Sequence, residues 1–315
     1  MSSQSEPPPS KRHALPSNLA RRLAEGRFVI TAESVPPLSC DPEDLIGRLR
    51  PLAGLVDAIN IPDGAGAHVR MGALPAAVLL AGAGVEPILQ ITCRDRNRIA
   101  LQGDLIGAAA LGIRNLLLLR GDDPTAGDQP QAKPVFDLDS RALVETARLI
   151  RDEGRLPHGA KVAGSAPFFI GVADSPVDPP PSWRPDALKA KIEAGAQFAQ
   201  TQFCMDTGVV RRYVARLHDA GLAGRLFLLI GVTPPRSARS AVWMRQHLFG
   251  TIIPDAMIAR LDAATDPAAE GRRICVETIA ELATIPGVAG AHVMAPGNEA
   301  ALPDVITAAR AALVN

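Results

Sequence analysis

Three side chains are placed to do chemistry. Glu33 closes the run Val29-Ile30-Thr31-Ala32-Glu33, Asp122 closes Leu118-Leu119-Arg120-Gly121-Asp122, and Gln202 sits in Thr201-Gln202-Phe203. A carboxyl partly buried at the end of such a run would hold its proton near neutrality and serve as a general acid. The other reading of Glu33 is an ion pair with Arg94 or Arg120. An ionised Asp122 would favour a cation or protonated ring beside it, and Gly121 would let the backbone approach a ligand closely. Alternatively, Asp122-Asp123-Pro124 is a turn with an Asx cap. Gln202 offers both a donor and an acceptor, which suits the edge of a heterocycle, though buried glutamines are also structural.

Other groups carry weaker signals. Thr92, Arg94 and Asp95 follow an apolar run and could contact a cofactor, while residues 94–98, with three arginines, read as a solvated helix start. Lys189 and Lys191 open a helix after a Pro-rich loop, where ammonium groups and a helix N-terminus could hold a phosphate. His68, His158, His218, His247 and His292 share no ligand-like spacing, so no metal is expected. No Gly-x-Ser-x-Gly elbow points to a serine triad.

The elements that must position these groups are eight short apolar runs, at 28–32, 56–61, 85–92, 115–119, 168–172, 198–203, 226–230 and 288–293. Helical segments are expected at 17–25, 41–52, 71–83, 96–111, 140–153, 185–194, 208–220, 239–248, 254–262, 267–284 and 299–313. Strand and helix alternate, so the spacing predicts an α/β fold, a (β/α)8 TIM barrel, with its chemistry at the carboxyl ends of the strands. An open doubly wound sheet is the rival, and no Gly-x-Gly-x-x-Gly follows the first run to support it. The connections at 121–139 and 173–184 are long and are expected to wall the pocket.

Composition narrows the function classes. The 315 residues, 47% of them apolar, suit one barrel domain at 17–315 behind a Ser/Pro-rich flexible tail at 1–16. With 33 basic and 33 acidic residues there is no global field to draw in nucleic acid or an anionic membrane, and a small-molecule ligand fits better. Cys40, Cys93, Cys204 and Cys275 form no Cys-x-x-Cys pair, no apolar leader stands at the front, and no stretch approaches the roughly 18 apolar residues of a membrane span. A cytoplasmic enzyme is expected.

The motifs Ala-Glu-Ser-Val-Pro-Pro, Ile-Thr-Cys-Arg-Asp, Leu-Arg-Gly-Asp, Lys-Ile-Glu-Ala-Gly-Ala and Thr-Gln-Phe-Cys-Met-Asp, in order over about residues 18–310, resemble the methylenetetrahydrofolate reductase family. That resemblance implies a barrel that binds a flavin, FAD or alternatively FMN, takes hydride from NADH or NADPH, and converts 5,10-methylenetetrahydrofolate to 5-methyltetrahydrofolate. It implies that Glu33 protonates the folate nitrogen as the methylene bridge opens to an iminium. Asp122 would lie beside the flavin ring, and Gln202 would contact the pterin. Lys191 would lie near the cofactor phosphates, and Arg120, Gly121 and Ala173 would line the isoalloxazine or ribityl chain.

Several positions depart from the family pattern. Ser34 and Val35 replace paired phenylalanines, Pro62 followed by Asp63 replaces a flavin-contacting threonine, and Gln90 stands for a histidine two residues before Thr92. Phe136 replaces a tyrosine, Asp174-Ser175-Pro176 replaces Ala-Tyr-Pro, and Asn298 replaces an arginine. Gln90 and Phe136 are thereby candidate cofactor contacts of altered type, beside the retained Thr92. Residues 111–115 and 133–139 look closer to the branch found in one-carbon catabolism and acetogens. Some members there use FMN or partner subunits, which leaves a homo-oligomer or partner subunit open. The alternatives are a non-redox methyl-transfer barrel that binds folate and a flavin-independent hydride-transfer reductase.

Overall fold

A computed structural model of the protein describes residues 15–314, so the expected tail lies outside the described residues except for its last two positions. All eight apolar runs form strands: β1 (Val29–Glu33), β2 (Ala58–Ile61), β3 (Pro87–Thr92), β4 (Asn115–Leu119), β5 (Phe169–Asp174), β6 (Phe198–Phe203), β7 (Phe227–Val232) and β8 (Val288–Val293). Each pairs in parallel with the next, and β8 returns to β1, closing the (β/α)8 barrel. Closure removes every free strand edge.

Eleven α-helices surround the described barrel: α1 (Asn18–Ala24), α2 (Glu43–Leu49), α3 (Ala73–Gly82), α4 (Arg98–Ala110), α5 (Ser140–Glu153), α6 (Asp186–Ala194), α7 (Thr207–Asp219), α8 (Ala238–His247), α9 (Asp255–Asp262), α10 (Pro267–Leu282) and α11 (Leu302–Val314). Their starts are set by side-chain caps. Ser17, Asn97, Asp139, Asp206 and Asp266 each accept a first-turn N–H, and Ser237 with Ser240 forms a reciprocal capping box. The helix expected at 41–52 stops early and continues as a 3-10 turn, Arg50–Leu52. Pro51 has no N–H with which to continue the α-helical ladder.

Alternate strand residues face the lumen. Its lower layer is apolar: Val29, Ala58, Ile88, Leu117, Phe169, Phe198 and Leu229 cluster together, and α1 plugs the floor with Leu19, Ala20 and Leu23. The Phe169 and Phe198 rings stack with centroids 4.8 Å apart. Gly171 sits against them because a Cβ there would fall 2.2 Å from the Phe198 ring.

Charges lock this end. Asp57, its side chain 1% exposed, accepts the Ile30 N–H at 2.7 Å and pairs with Arg22 at 2.8 Å and Arg310 at 2.6 Å. Glu86 accepts the Asn18 and Leu19 N–H groups at the start of α1 and the Asn115 amide, each at 2.9 Å.

Candidate active site

Above the floor the lumen turns polar. Thr31, Asn60, Gln90, Gln200 and His292 are all buried. Thr31 Oγ1 lies 2.9 Å from His292 Nδ1, and Gln200 Nε2 lies 3.2 Å from each of those atoms. β1 and β6 are not neighbours, so the Thr31 to Gln200 contact crosses the lumen. The Asn60 Oδ1 and Gln200 Oε1 atoms are buried without a protein partner. An unpaired buried acceptor costs about 1–3 kcal/mol, so this layer is built to receive polar atoms of a ligand or solvent.

Glu33 stands over that layer at the end of β1, its side chain 20% exposed. Its Oε2 accepts from Asn60 Nδ2 at 2.8 Å and Gln90 Nε2 at 3.4 Å, and lies 3.7 Å from His292 Nε2. No arginine among the described residues pairs with it. Arg94 instead grips Asp95 at 2.7 and 2.8 Å and the Gly64 carbonyl at 3.1 Å, while Arg120 stacks over the Phe136 ring at 4.2 Å. The ion-pair reading of Glu33 therefore fails.

Asp122 lies at the same end of the barrel, beyond β4, and is exposed. Its Oδ2 accepts the Gly66 N–H at 2.9 Å, tying the loop after β4 to the loop after β2. The expected Asx cap exists, but it belongs to Asp123, which accepts from the Thr125 N–H at 2.9 Å and hydroxyl at 2.6 Å. No hydrogen bond or ion pair joins Asp122 to Glu33 among the described residues. Gln202 falls where the β6–β7 register shifts between Gln200 and Phe203, an irregularity of the kind that re-aims a side chain. Its Oε1 accepts the Phe203 N–H at 3.0 Å, and its Nε2 has no hydrogen-bond partner among the described residues.

The end of β3 differs from expectation. Arg94 is 5% exposed rather than solvated, and Arg96 lies between Asp63 and Asp104. Carboxylates from neighbouring elements draw Arg96 inward, the adjacent Asp95 and the Gly64 carbonyl hold Arg94, and only Arg98 stays at the surface, paired with Asp137. Asp63 also accepts from the Thr92 N–H at 2.8 Å and hydroxyl at 2.9 Å. Gly121, at φ +91°, is needed by this packing, since a Cβ would lie 3.0 Å from those of Thr92 and Arg94.

Both long loops wall cavities, as expected. The segment after β5 borders one of about 360 Å³ lined by Ala173, Asp174, Ser175, Arg184, Lys191 and Tyr213. Lys191 lies within α6 rather than at its start, and its Nζ donates to the Ala173 carbonyl at 2.7 Å. Burial pushes the Asp174 carboxyl up, against the Tyr213 hydroxyl bond that holds it down. Burial likewise pushes Lys191 down, opposed by the charge of Asp174. The loop after β4 borders a cavity of about 310 Å³ that includes Asp63, Arg70, Arg94 and Gln129. A third, of about 530 Å³, opens over β7 and β8 between Pro235, Arg236, Arg239, Trp243 and Asn298.

Sequence reading missed Thr31, Asn60, Gln200 and His292. A signal was present: polar residues two apart in otherwise apolar strands, as in Thr31 with Glu33 and Gln200 with Gln202, face the lumen together. Among the described residues no group of three His, Cys, Asp or Glu side chains is arranged to hold a metal, and no helix is long and apolar enough to cross a membrane.

Comparison with known proteins converges on one family. The family model for methylenetetrahydrofolate reductase matches residues 18–310. The probable methylenetetrahydrofolate reductase (NADPH) of Caenorhabditis elegans is 31% identical over 151 residues, 47% of this chain and 20% of that protein. The 5,10-methylenetetrahydrofolate reductase of Pectobacterium carotovorum subsp. carotovorum is 28% identical over 221 residues, 68% of this chain and 66% of that one. The match thus spans between a fifth and two thirds of these relatives' own lengths. Among solved structures, an uncharacterised Clostridium thermocellum protein that binds two copies of 5-methyl-5,6,7,8-tetrahydrofolic acid superposes with TM-score 0.59 at 13% identity. That superposition covers 95% of this chain and all of that one, and it shows the shared barrel. With a match running from α1 into α11, and with four of the five motifs of the resemblance at the ends of β1, β3, β4 and β6 and the fifth closing α6, the chain belongs to the methylenetetrahydrofolate reductase family.

Proposed function

We propose that this barrel interconverts 5,10-methylenetetrahydrofolate and 5-methyltetrahydrofolate, with NADH or NADPH as the electron source. The observation that carries the reading is Glu33: a rim carboxyl contacted by two neutral amides and a histidine, above a buried polar layer with unsatisfied acceptors. Both amide contacts go to Oε2, so Oε1 is the oxygen that carries a proton to the folate nitrogen. Loss of that nitrogen opens the methylene bridge to an iminium, whose carbon then accepts hydride. General acid catalysis of this kind is worth about 10²–10⁴ in rate. Asp122 supplies fixed negative charge on the same face of the barrel, favouring the cation, and Gln202 Nε2 is free to meet the pterin edge.

A flavin, FAD or alternatively FMN, suits the donor set. Arg120, the Gly121 backbone, Gln90, Thr92 and Phe136 would border its ring system, and Ala173 and Lys191 its chain and phosphate. Burial raises the Asp174 carboxyl at that position, against the Tyr213 bond and the Lys191 charge that lower it. Thr92 contributes only as an acceptor, its hydroxyl proton being given to Asp63. When bound, the flavin supplies the hydride that reaches the folate carbon. The cavity flanked by Arg236 and Arg239, which form no ion pair among the described residues, suits the carboxylate-bearing tail of a folate.

The test is anaerobic incubation of the purified protein with FAD or FMN, NADH or NADPH, and methylenetetrahydrofolate, with 5-methyltetrahydrofolate measured by mass spectrometry. Product formation with bleaching of flavin absorbance supports the reading. Product formation by a colourless protein that takes up neither flavin would favour direct hydride transfer, a reading that the Pro62-Asp63 departure and the Asp63 clamp on Thr92 motivate. Methyl transfer from 5-methyltetrahydrofolate without nicotinamide would indicate the non-redox alternative.

A further inference from the structure

We infer that His292 is the positioning residue for the Glu33 carboxyl, facing the oxygen that Asn60 and Gln90 hold and meeting the negative charge that forms when Oε1 gives up its proton. The inference rests on the proposed acid role of Glu33 and goes beyond it to the apparatus that controls it. His292 is 2% exposed, and its ring is fixed at both nitrogens. Nδ1 lies 2.9 Å from Thr31 Oγ1 and 3.2 Å from Gln200 Nε2. With the Gln200 amide nitrogen donating to it, Nδ1 is the accepting nitrogen, which leaves Nε2 as the donor of the ring. That N–H faces Glu33 Oε2 at 3.7 Å, too long for a hydrogen bond to a neutral carboxyl and close enough to tighten once the oxygen bears charge.

Among the described residues no lysine or arginine pairs with Glu33 to compete with that N–H. Asn60 on β2, Gln90 on β3, Gln200 on β6 and Thr31 on β1 are neutral. A charged group that does act with Glu33 is Glu299, ahead of α11, whose carboxyl is pushed up by burial and which lies 3.6 Å from Arg48. Beside that second carboxylate, the inward-facing Nε2–H presents the opposite polarity to Oε2. Gln200, reaching across the lumen from β6, fixes the tautomer, the usual role of a group bonded to the far nitrogen of a catalytic histidine.

The experiment is a double-mutant cycle between Glu33→Gln and His292→Phe, read as the pH profile of 5-methyltetrahydrofolate formation. His292→Gln, which restores an N–H near Oε2, is the rescue variant, and melting temperature is recorded throughout. In the single variant His292→Phe, loss of the N–H makes the carboxyl a weaker acid. The plateau rate should fall about tenfold, and the alkaline limb should move up by roughly one pH unit. Partial recovery is expected in His292→Gln. In the Glu33→Gln background, His292→Phe should cost less than about twofold, because its target is gone. Equal cost of His292→Phe in both backgrounds, or an unmoved pH profile in a folded His292→Phe protein, would overturn the inference while leaving the acid role of Glu33 standing. Full activity of Glu33→Gln would overturn both.

Discussion

Asp57 below the barrel and Glu33 at its rim are both largely buried carboxylates, yet their surroundings are opposite. Asp57 is clamped by Arg22, Arg310 and the Ile30 N–H, beside a lumen floor filled with apolar side chains. Glu33 is touched by amides and a histidine, over a layer where Asn60 and Gln200 keep unsatisfied acceptors. The first arrangement fixes a charge permanently and serves the fold. The second leaves the carboxyl without a clamping arginine among the described residues and keeps bonding capacity for a ligand. The contrast follows the usual division of labour in such barrels, with stability at the amino ends of the strands and chemistry at the carboxyl ends.

Substitutions at the two ends should therefore fail in different ways. Glu33→Gln should lower folate conversion by about 10²–10⁴ with little change in melting temperature. Steady-state assay and calorimetry on the same preparation check this, and a large stability loss would return Glu33 to a structural role. Asp57→Ala should do the reverse. Stranding the partly buried Arg22 and Arg310 should cost about 3–5 kcal/mol in chemical denaturation, while turnover per folded molecule stays at the original value. Gly171→Ala, at the boundary between the layers, pushes a methyl into the Phe198 ring and should cost about 1–3 kcal/mol. That penalty should shrink in a Phe198→Leu background, a coupling that two denaturation series reveal. The smallest effect belongs to Asp122→Asn, which keeps the bond to Gly66 and removes only an exposed, screened charge. It should slow the folate step roughly two- to tenfold, more at low salt than at high salt.

The barrel was legible because strand and helix carry different periods. The eight apolar runs and their intervening helices read directly onto the structure, and the long connections did become cavity walls. Boundaries moved where a proline or cap decided them, as at Pro51. The rim candidates Glu33, Asp122 and Gln202 could be named from sequence because they lie at or just past strand ends. The second layer was not legible. Asn60 and His292 each look isolated in sequence, and only closure of the sheet brings residues from β2 and β8 against Glu33 on β1. Arg96 was misread for the same reason, since its partner Asp63 comes from the loop after β2. Gly121 was expected to admit a ligand, and its nearest constraint is the packing of Thr92 and Arg94.

The most direct test separates the two halves of the reaction in the native protein and in Glu33→Gln: oxidation of NADH or NADPH by the flavin-loaded protein, and formation of 5-methyltetrahydrofolate after methylenetetrahydrofolate is added. A rim carboxyl that acts as the folate acid predicts that the variant still consumes nicotinamide at close to the native rate and makes almost no methyl product. Native-rate methyl product from Glu33→Gln, or equal loss of both halves in a folded variant, would contradict it.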